Sequence, residues 1–338
     1  MKDTVGLCLI GAGRAGMIHA RNFSSRVPHA RMIAVSDVME ESAGKAAAEL
    51  GLKTWYTDYR RALEDPAVDA VIVVTPTKFH HDIVIAAAEA KKHVFCEKPM
   101  AMHREECQRM IDAAEKNRVK LQIGFMRRFD ANFRRAREII DTGTIGPVVM
   151  VKSLTRGPST PHEWMYDLEK SNGPLAEVNS HDIDTLRWLT GSEVESLYAI
   201  AGNYRCDAAR ERYPDFYDTV LMSLKMKNGM MGGIDGAQGV QYGYDARVDI
   251  LGTCGSVQIG GLAGSTTVAY TREHRSQGDV VQSWTSLFHE AYVNEDTSFI
   301  EAIREDREPA AGGLDGMMAV DIVRAGNESI RSGRIVRL

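Results

Sequence analysis

The sequence predicts an α/β protein: an open parallel sheet with helices on both faces, then an α+β part with an open, mostly antiparallel sheet. Three observations carry this. Over residues 1–125, short β-rich runs alternate with helical patterns, the order expected of a parallel sheet with crossover helices. Residues 68–74 form a near-continuous apolar run rich in valine and isoleucine, as expected of a central strand buried on both faces. Residues 194–270 are dominated by strand patterns punctuated by glycine.

The elements follow in order. Residues 5–10 are an apolar strand ending at a glycine-rich turn, and 14–24 read as a helix. A second strand at 32–35 is closed by Ser36-Asp37, and a helix at 40–50 stops at Gly51. A short helix at 60–64 precedes Pro66 and the central strand. Then come an alanine-rich helix at 82–90, a strand at 93–96, a helix at 104–117 and a strand at 121–124. After Arg127 the character changes. Residues 132–142 are helical, Gly143 and Gly146-Pro147 break the chain, and 148–154 alternate weakly as a strand. A short helix is expected at 181–189, glycine-rich turns at Gly232-Gly233 and Gly260-Gly261, and a helix at 315–329. The expected domains are 1–125 and 126–338.

The chain has 338 residues, enough for two domains with ample core. Its net charge of −5 argues against a nucleic-acid binder, which is usually basic. No run of 18 apolar residues suggests a membrane span, and the apolar run before Gly11 is too short for a signal peptide. Five cysteines, an odd number at wide spacing without a CxxC, read as reduced thiols in a cytoplasmic protein, with Cys8 and Cys96 as core residues. No HExxH or paired-carboxylate signature is present, and the rings of His80 and His81 would point apart on a helix, so no metal is expected.

Gly11-Ala12-Gly13-Arg14-Ala15-Gly16 follows a strand and opens a helix. In that context the first glycine permits the turn, the second admits a pyrophosphate, and the third lets helix and strand pack closely. The helix N-terminus favours the anion. This is the fingerprint of a dinucleotide-binding Rossmann domain. Asp37 lies 21 residues past Gly16, where a carboxylate accepts hydrogen bonds from ribose hydroxyls. It would repel a 2′-phosphate, and Val38 supplies no compensating cation, so NAD is expected in preference to NADP. Lys98, in Glu97-Lys98-Pro99, sits at the carboxyl end of a strand. There it can stabilise a developing alkoxide or, with a lowered pKa, act as a base; a solvated turn is the alternative on spacing alone.

Together with His19-Ala-Arg-Asn22 after the glycine turn, Thr75-Pro76 and Gly124-Phe-Met-Arg127-Arg128-Phe-Asp130, these motifs resemble the glucose–fructose oxidoreductase/inositol dehydrogenase/MocA family, and most closely its inositol dehydrogenases. The resemblance spans most of the chain. It implies an N-terminal Rossmann domain and a C-terminal substrate-binding and oligomerisation domain. It also implies oxidation or reduction of a sugar or polyol with NAD, and a homodimer or homotetramer assembled through the sheet face. In Asn172-Gly173-Pro-Leu-Ala-Glu177-Val-Asn-Ser-His181-Asp182-Ile-Asp184, His181 aligns with the family's catalytic histidine. Lys98 aligns with its motif lysine and Arg127 with a substrate-contacting arginine. Asn172 replaces the first glycine of a pair, and Glu177 replaces an aspartate.

Asn179 and Ser180 are good N-cap residues, and Ile183, Leu186 and Leu189 form an apolar stripe, so His181 falls in a first helical turn. The positive end of a helix disfavours imidazolium, which leaves a neutral ring able to accept a proton. The expected reaction is oxidation of a secondary hydroxyl to a ketone, or the reverse, with Lys98 and His181 handling the oxygen and its proton and Glu177 orienting the ring. The roles of base and donor could be exchanged between Lys98 and His181. Two competing readings are glycoside cleavage by transient oxidation and a non-catalytic sugar- or NAD-sensing protein. Thr75, Pro76, His80 and Glu97 are expected on the cofactor side. Asp184, Tyr244 and Arg156 are expected to contact substrate. Arg156 and His162 are placed with the Pro/Gly-rich loop at 157–161.

Overall fold

Strand β1 (Val5–Ile10) is buried along its whole length, as an apolar run in the middle of a parallel sheet must be. The computed structural model describes residues 3–338. Around β1 lie β2 (Ala30–Ser36), β3 (Trp55–Tyr56), β4 (Ala70–Val73), β5 (His93–Glu97) and β6 (Leu121–Gly124), in the order β3-β2-β1-β4-β5-β6. Every pairing in this sheet is parallel. The crossovers are α1 (Arg14–Ser25), α2 (Glu40–Glu49), α3 (Tyr59–Glu64), α4 (His80–Glu89) and α5 (Arg104–Asn117). Strand order reverses between β1 and β4, and the carboxyl ends of those strands form the switch point where such sheets bind ligands. Only β3 escapes the sequence pattern: two residues are too few to show a period.

The rest of the chain forms α6 (Ala131–Asp141), β7 (Val148–Gly157), α7 (Glu163–Tyr166), α8 (Leu168–Ser171), α9 (Gly173–Glu177) and α10 (Ser180–Thr190). These precede β8 (Val194–Gly202), β9 (Thr219–Met226), β10 (Met231–Gln238), β11 (Asp245–Gly252), β12 (Ser256–Ile259), β13 (Ala263–Tyr270) and β14 (Ser276–Val280). The chain ends with α11 (Trp284–Leu287), α12 (His289–Arg304), α13 (Gly313–Ser332) and β15 (Val336–Arg337). The second sheet runs β12-β11-β7-β10-β9-β8-β15. Its β7–β10 pairing is parallel, and the others among the described residues are antiparallel. Gly232 and Gly233 are not a turn but lie within β10. A Cβ on Gly232 would stand 2.5 Å from Leu186 Cδ2, so the glycine admits α10 onto the sheet.

Two compact units result: residues 3–129 with Glu290–Val320, and Asp130–His289 with Asp321–Leu338. A single division at 125–126 assigns 290–320 to the second domain, whereas the structure groups them with the first. The reason is apolar burial. Phe299 and Ile300 of α12 join the core of Leu7, Leu9, Ile72 and Phe95, and the Phe299 ring meets Phe95 edge-on at 5.8 Å. Four of the five thiols are buried and all are free; burial pushes the Cys107 thiol up to about 12 and Cys206 to about 11. No described helix is long and apolar enough to cross a membrane.

Candidate functional site

The glycine-rich turn is shaped by contact. Gly11 has φ of +100°, and a Cβ there would stand 2.4 Å from the Val74 carbonyl oxygen; a Cβ on Gly16 would stand 2.1 Å from that of Gly11. Both positions therefore exclude a side chain, the first also on backbone grounds. Gly13, the residue before α1, has nothing within 4 Å of where its Cβ would be, and no side chain caps the helix. The first-turn amides beside exposed Arg14 and half-buried Ala15 are thus left for an outside acceptor. At the end of β2, Asp37 accepts from the Ala12 N–H at 2.8 Å and the Met39 N–H at 2.9 Å. The carboxylate is pinned to the glycine turn, with further acceptor capacity remaining. At the end of β4, the buried Thr75 hydroxyl finds no hydrogen-bond partner among the described residues, and Pro76 is exposed.

The end of β5 is more tightly built. Lys98 is half-buried and joined to Pro99 by a cis peptide bond. Glu97 turns inward: its carboxylate accepts the Lys98 N–H at 2.9 Å and lies 3.0 Å from His19 Nε2. His80, expected to line the cofactor side, is buried instead as a pin. Its Nδ1 lies 2.9 Å from the Pro99 carbonyl and its Nε2 2.8 Å from that of Thr75. Burial lowers its pKa despite both carbonyls. Arg127, expected to touch substrate, is only 1% exposed in a short 3-10 turn.

In the second unit His181 is the second residue of α10 and is buried at 8% exposure. Asn179 holds the N-cap position but does not cap. Its Nδ2 donates instead to Asp182 at 2.8 Å. Asp182, which the motif reading passed over, also accepts from Ser153 at 2.5 Å and Thr155 at 3.0 Å, fastening the first turn of α10 to β7. Asp184 is buried rather than solvated. Glu177 ends α9, half-buried, four residues before His181. Asn172 has φ of +56°, so the glycine it replaces is exchanged for the other residue that tolerates the left-handed region.

Arg156 departs from expectation. It lies on β7 rather than in the following loop, and strand alternation puts it on the face opposite Ser153 and Thr155, which hold α10. There it makes a bidentate pair with Asp235, which, helped by Tyr242, raises its pKa. Arg156 and the His181 helix are thus on opposite faces of one sheet. Tyr244 is buried, its ring edge-on to Phe288 at 6.5 Å, while His162 is exposed before α7.

One cluster bears on the expectation of no metal. Ligand atoms of His19, Glu97 and Glu295 lie within 4.8 Å of one another, all buried. Both ring nitrogens of His19 already face carboxylates, Asp296 at 2.6 Å and Glu97 at 3.0 Å, so the ring has no lone pair to spare for an ion.

Comparison with known proteins fits both units. Residues 5–125 match the model of an oxidoreductase family with an NAD-binding Rossmann fold, and residues 133–258 match the GFO/IDH/MocA C-terminal domain. The chain belongs to the GFO/IDH/MocA oxidoreductase family. It is 35% identical to the myo-inositol 2-dehydrogenase of Thermotoga maritima, over 98% of this chain and 97% of that one. It is 34% identical to the scyllo-inositol 2-dehydrogenase (NAD+) of Bacillus subtilis, over 100% and 97%. The crystal structure of scyllo-inositol dehydrogenase from Lactobacillus casei with bound NAD(H) and scyllo-inositol superimposes with a TM-score of 0.90 at 26% identity, covering 99% of each chain.

Like the family, this chain uses NAD. The glycine turn at bare Gly13, the anchored Asp37 carboxylate and the Thr75 hydroxyl lie at the strand ends of the switch point, where such sheets bind ligands. The partners of His19, a residue of the family motif, and the parts played by Asp182 and Asp296 are what sequence reasoning missed. A histidine three residues past Gly16, within the family motif, was the available signal for the first of these.

Proposed function

We propose that this NAD-dependent oxidoreductase acting on CH–OH groups oxidises a secondary hydroxyl of a cyclic polyol or sugar, of the inositol or pyranose class, to a ketone, or catalyses the reverse. The observation that carries the reading is full-length similarity to inositol dehydrogenases together with a lysine at the end of β5 and a buried histidine in the first turn of α10. NAD, when bound, supplies the acceptor for the two electrons that leave the carbinol carbon. His181 takes the hydroxyl proton, and its place at a helix N-terminus favours the neutral ring that can do so. Lys98 donates to the same oxygen and stabilises the charge that develops on it. Glu177 orients the imidazole, the longer side chain reaching from the end of α9.

The decisive experiment follows NAD reduction against inositols, aldoses, anhydrosugars and glycosides. Stoichiometric NADH with one cyclic polyol or sugar is the expected result. Glycoside cleavage without net NADH would replace this reading with transient oxidation, and NAD binding without turnover on any of them would indicate a sensor. On the active substrate, His181→Ala should lower kcat/KM by ~10²–10⁴ with NAD affinity nearly unchanged.

We also propose a cytoplasmic homo-oligomer. The sheet face that carries Arg156 leaves Tyr198, Ile200, Leu221, Met231 and Leu251 exposed, and Ile200 and Leu221 are direct cross-strand partners. A second copy of the same face would bury them.

A further inference from the structure

We infer that His19 is a positioning residue for Lys98, fixing through Glu97 the turn that carries the lysine. The inference rests on the reading that Lys98 handles the substrate oxygen.

The chain of contacts is continuous and lies within one unit. Asn22 Nδ2 donates to Asp296 Oδ2 at 2.9 Å, and the other oxygen of Asp296 meets His19 Nδ1 at 2.6 Å. His19 Nε2 meets Glu97 Oε1 at 3.0 Å, and Glu97 Oε2 accepts the Lys98 N–H at 2.9 Å. His19 and Asp296 are fully buried, and the imidazole is walled by the rings of Phe95 at 4.8 Å and Tyr292 at 5.3 Å. A neutral imidazole donates once, whereas both nitrogens here face carboxylate oxygens, an arrangement that an imidazolium satisfies by giving a proton to each. Burial opposes that charge, but Asp296 and then Glu97 outweigh it and hold the pKa well above the ordinary histidine value. Glu295 is a further buried acid near the ring.

Glycine at 124, in the neighbouring strand, makes room for this carboxylate: a Cβ there would stand 2.9 Å from the Glu97 carboxyl carbon. The turn is held a second time where His80 Nδ1 lies 2.9 Å from the Pro99 carbonyl. A relay that served only the core would end on a core residue; this one ends on the backbone of the lysine assigned to the chemistry. Small misplacements of such a group cost far more in rate than in stability.

A double-mutant cycle tests it. His19→Gln should lower kcat by ~10²-fold in protein that remains folded by circular dichroism, with the NAD dissociation constant within about twofold. In the Lys98→Ala background the same substitution should change kcat by less than about twofold, because its effect passes through the lysine. In NAD-free protein, His19→Gln should alter the rate at which an amine-reactive reagent labels Lys98, read by mass spectrometry, by several-fold. An undiminished kcat in folded His19→Gln, or losses that multiply in the double variant, would overturn the inference. If His19→Gln does not fold, Glu97→Gln keeps an acceptor for the Lys98 N–H while removing the ion pair. It should then lose about tenfold in kcat, and full activity would be equally fatal. Wild-type kcat in Lys98→Ala would instead sink the assignment of the lysine, leaving the labelling rate to decide on positioning.

Discussion

Asp37 shows how far one residue can be read. Its place after β2 was legible because a strand ends there and the glycine turn sets the distance, and the structure adds that Ala12 and Met39 hold the carboxylate in place. Val38 beside it is 84% exposed and offers nothing to a 2′-phosphate. Asp37→Ala should weaken NAD binding by roughly 10–100-fold, the loss of hydrogen bonds to a charged acceptor. It should leave NADP affinity unchanged or higher. Calorimetric titration with both cofactors measures this, and equal affinities before and after would remove Asp37 from the site. His80 and Arg127 were less legible. Each follows the carboxyl end of a strand by a few residues, His80 opening α4 and Arg127 in a 3-10 turn, where a polar side chain can face the ligand or seal the turn beneath it. Spacing does not distinguish the two, because the choice depends on which carbonyls or acids the neighbouring elements present.

At the scale of elements, α10 is the clearest case. Its apolar stripe and first-turn histidine followed from periodicity, but its fastening did not. Asp182 gathers the hydroxyls of Ser153 and Thr155 and the amide of Asn179 into one buried knot. Asp182→Ala leaves three donors facing a cavity and should cost ~3 kcal/mol of unfolding free energy, since even one unsatisfied buried polar group costs ~1–3 kcal/mol. Urea unfolding reads it out; a loss under ~1 kcal/mol would mean that water or relaxation replaces the knot. The alternation of β7 that turns Ser153 and Thr155 toward α10 turns Arg156 away from it. That fact was available from strand period alone once the strand was known to extend to Gly157. The weak apolar pattern of residues 148–154 ended the expected strand too soon.

At the scale of the whole molecule, the exposed apolar sheet face carries the prediction about assembly. Leu221→Asp places a charge opposite Ile200 at the centre of that face and should shift the protein toward monomer in light scattering at micromolar concentration. An unchanged mass would move the interface elsewhere. The division of the chain belongs to this scale too. The motif that opens the first unit and the Asn172–Asp184 motif of the second were both visible in sequence. The return of α12 to the first sheet was not, because an amphipathic helix shows which face it buries but not which core receives it.

The sequence by itself determined what is local: the parallel alternation, the phosphate-binding turn, the acid that prefers NAD, and the lysine and histidine offered for catalysis. The first three depend on residues within one or two neighbouring elements, where period and turn chemistry act directly; the lysine and histidine are offered by the resemblance to the family. Tertiary structure alone decided how the buried charges pair. His19 meets Asp296 across 277 positions and Arg156 meets Asp235 across 79. A charge taken out of water must find its partner wherever packing supplies one, and packing is a property of the folded chain.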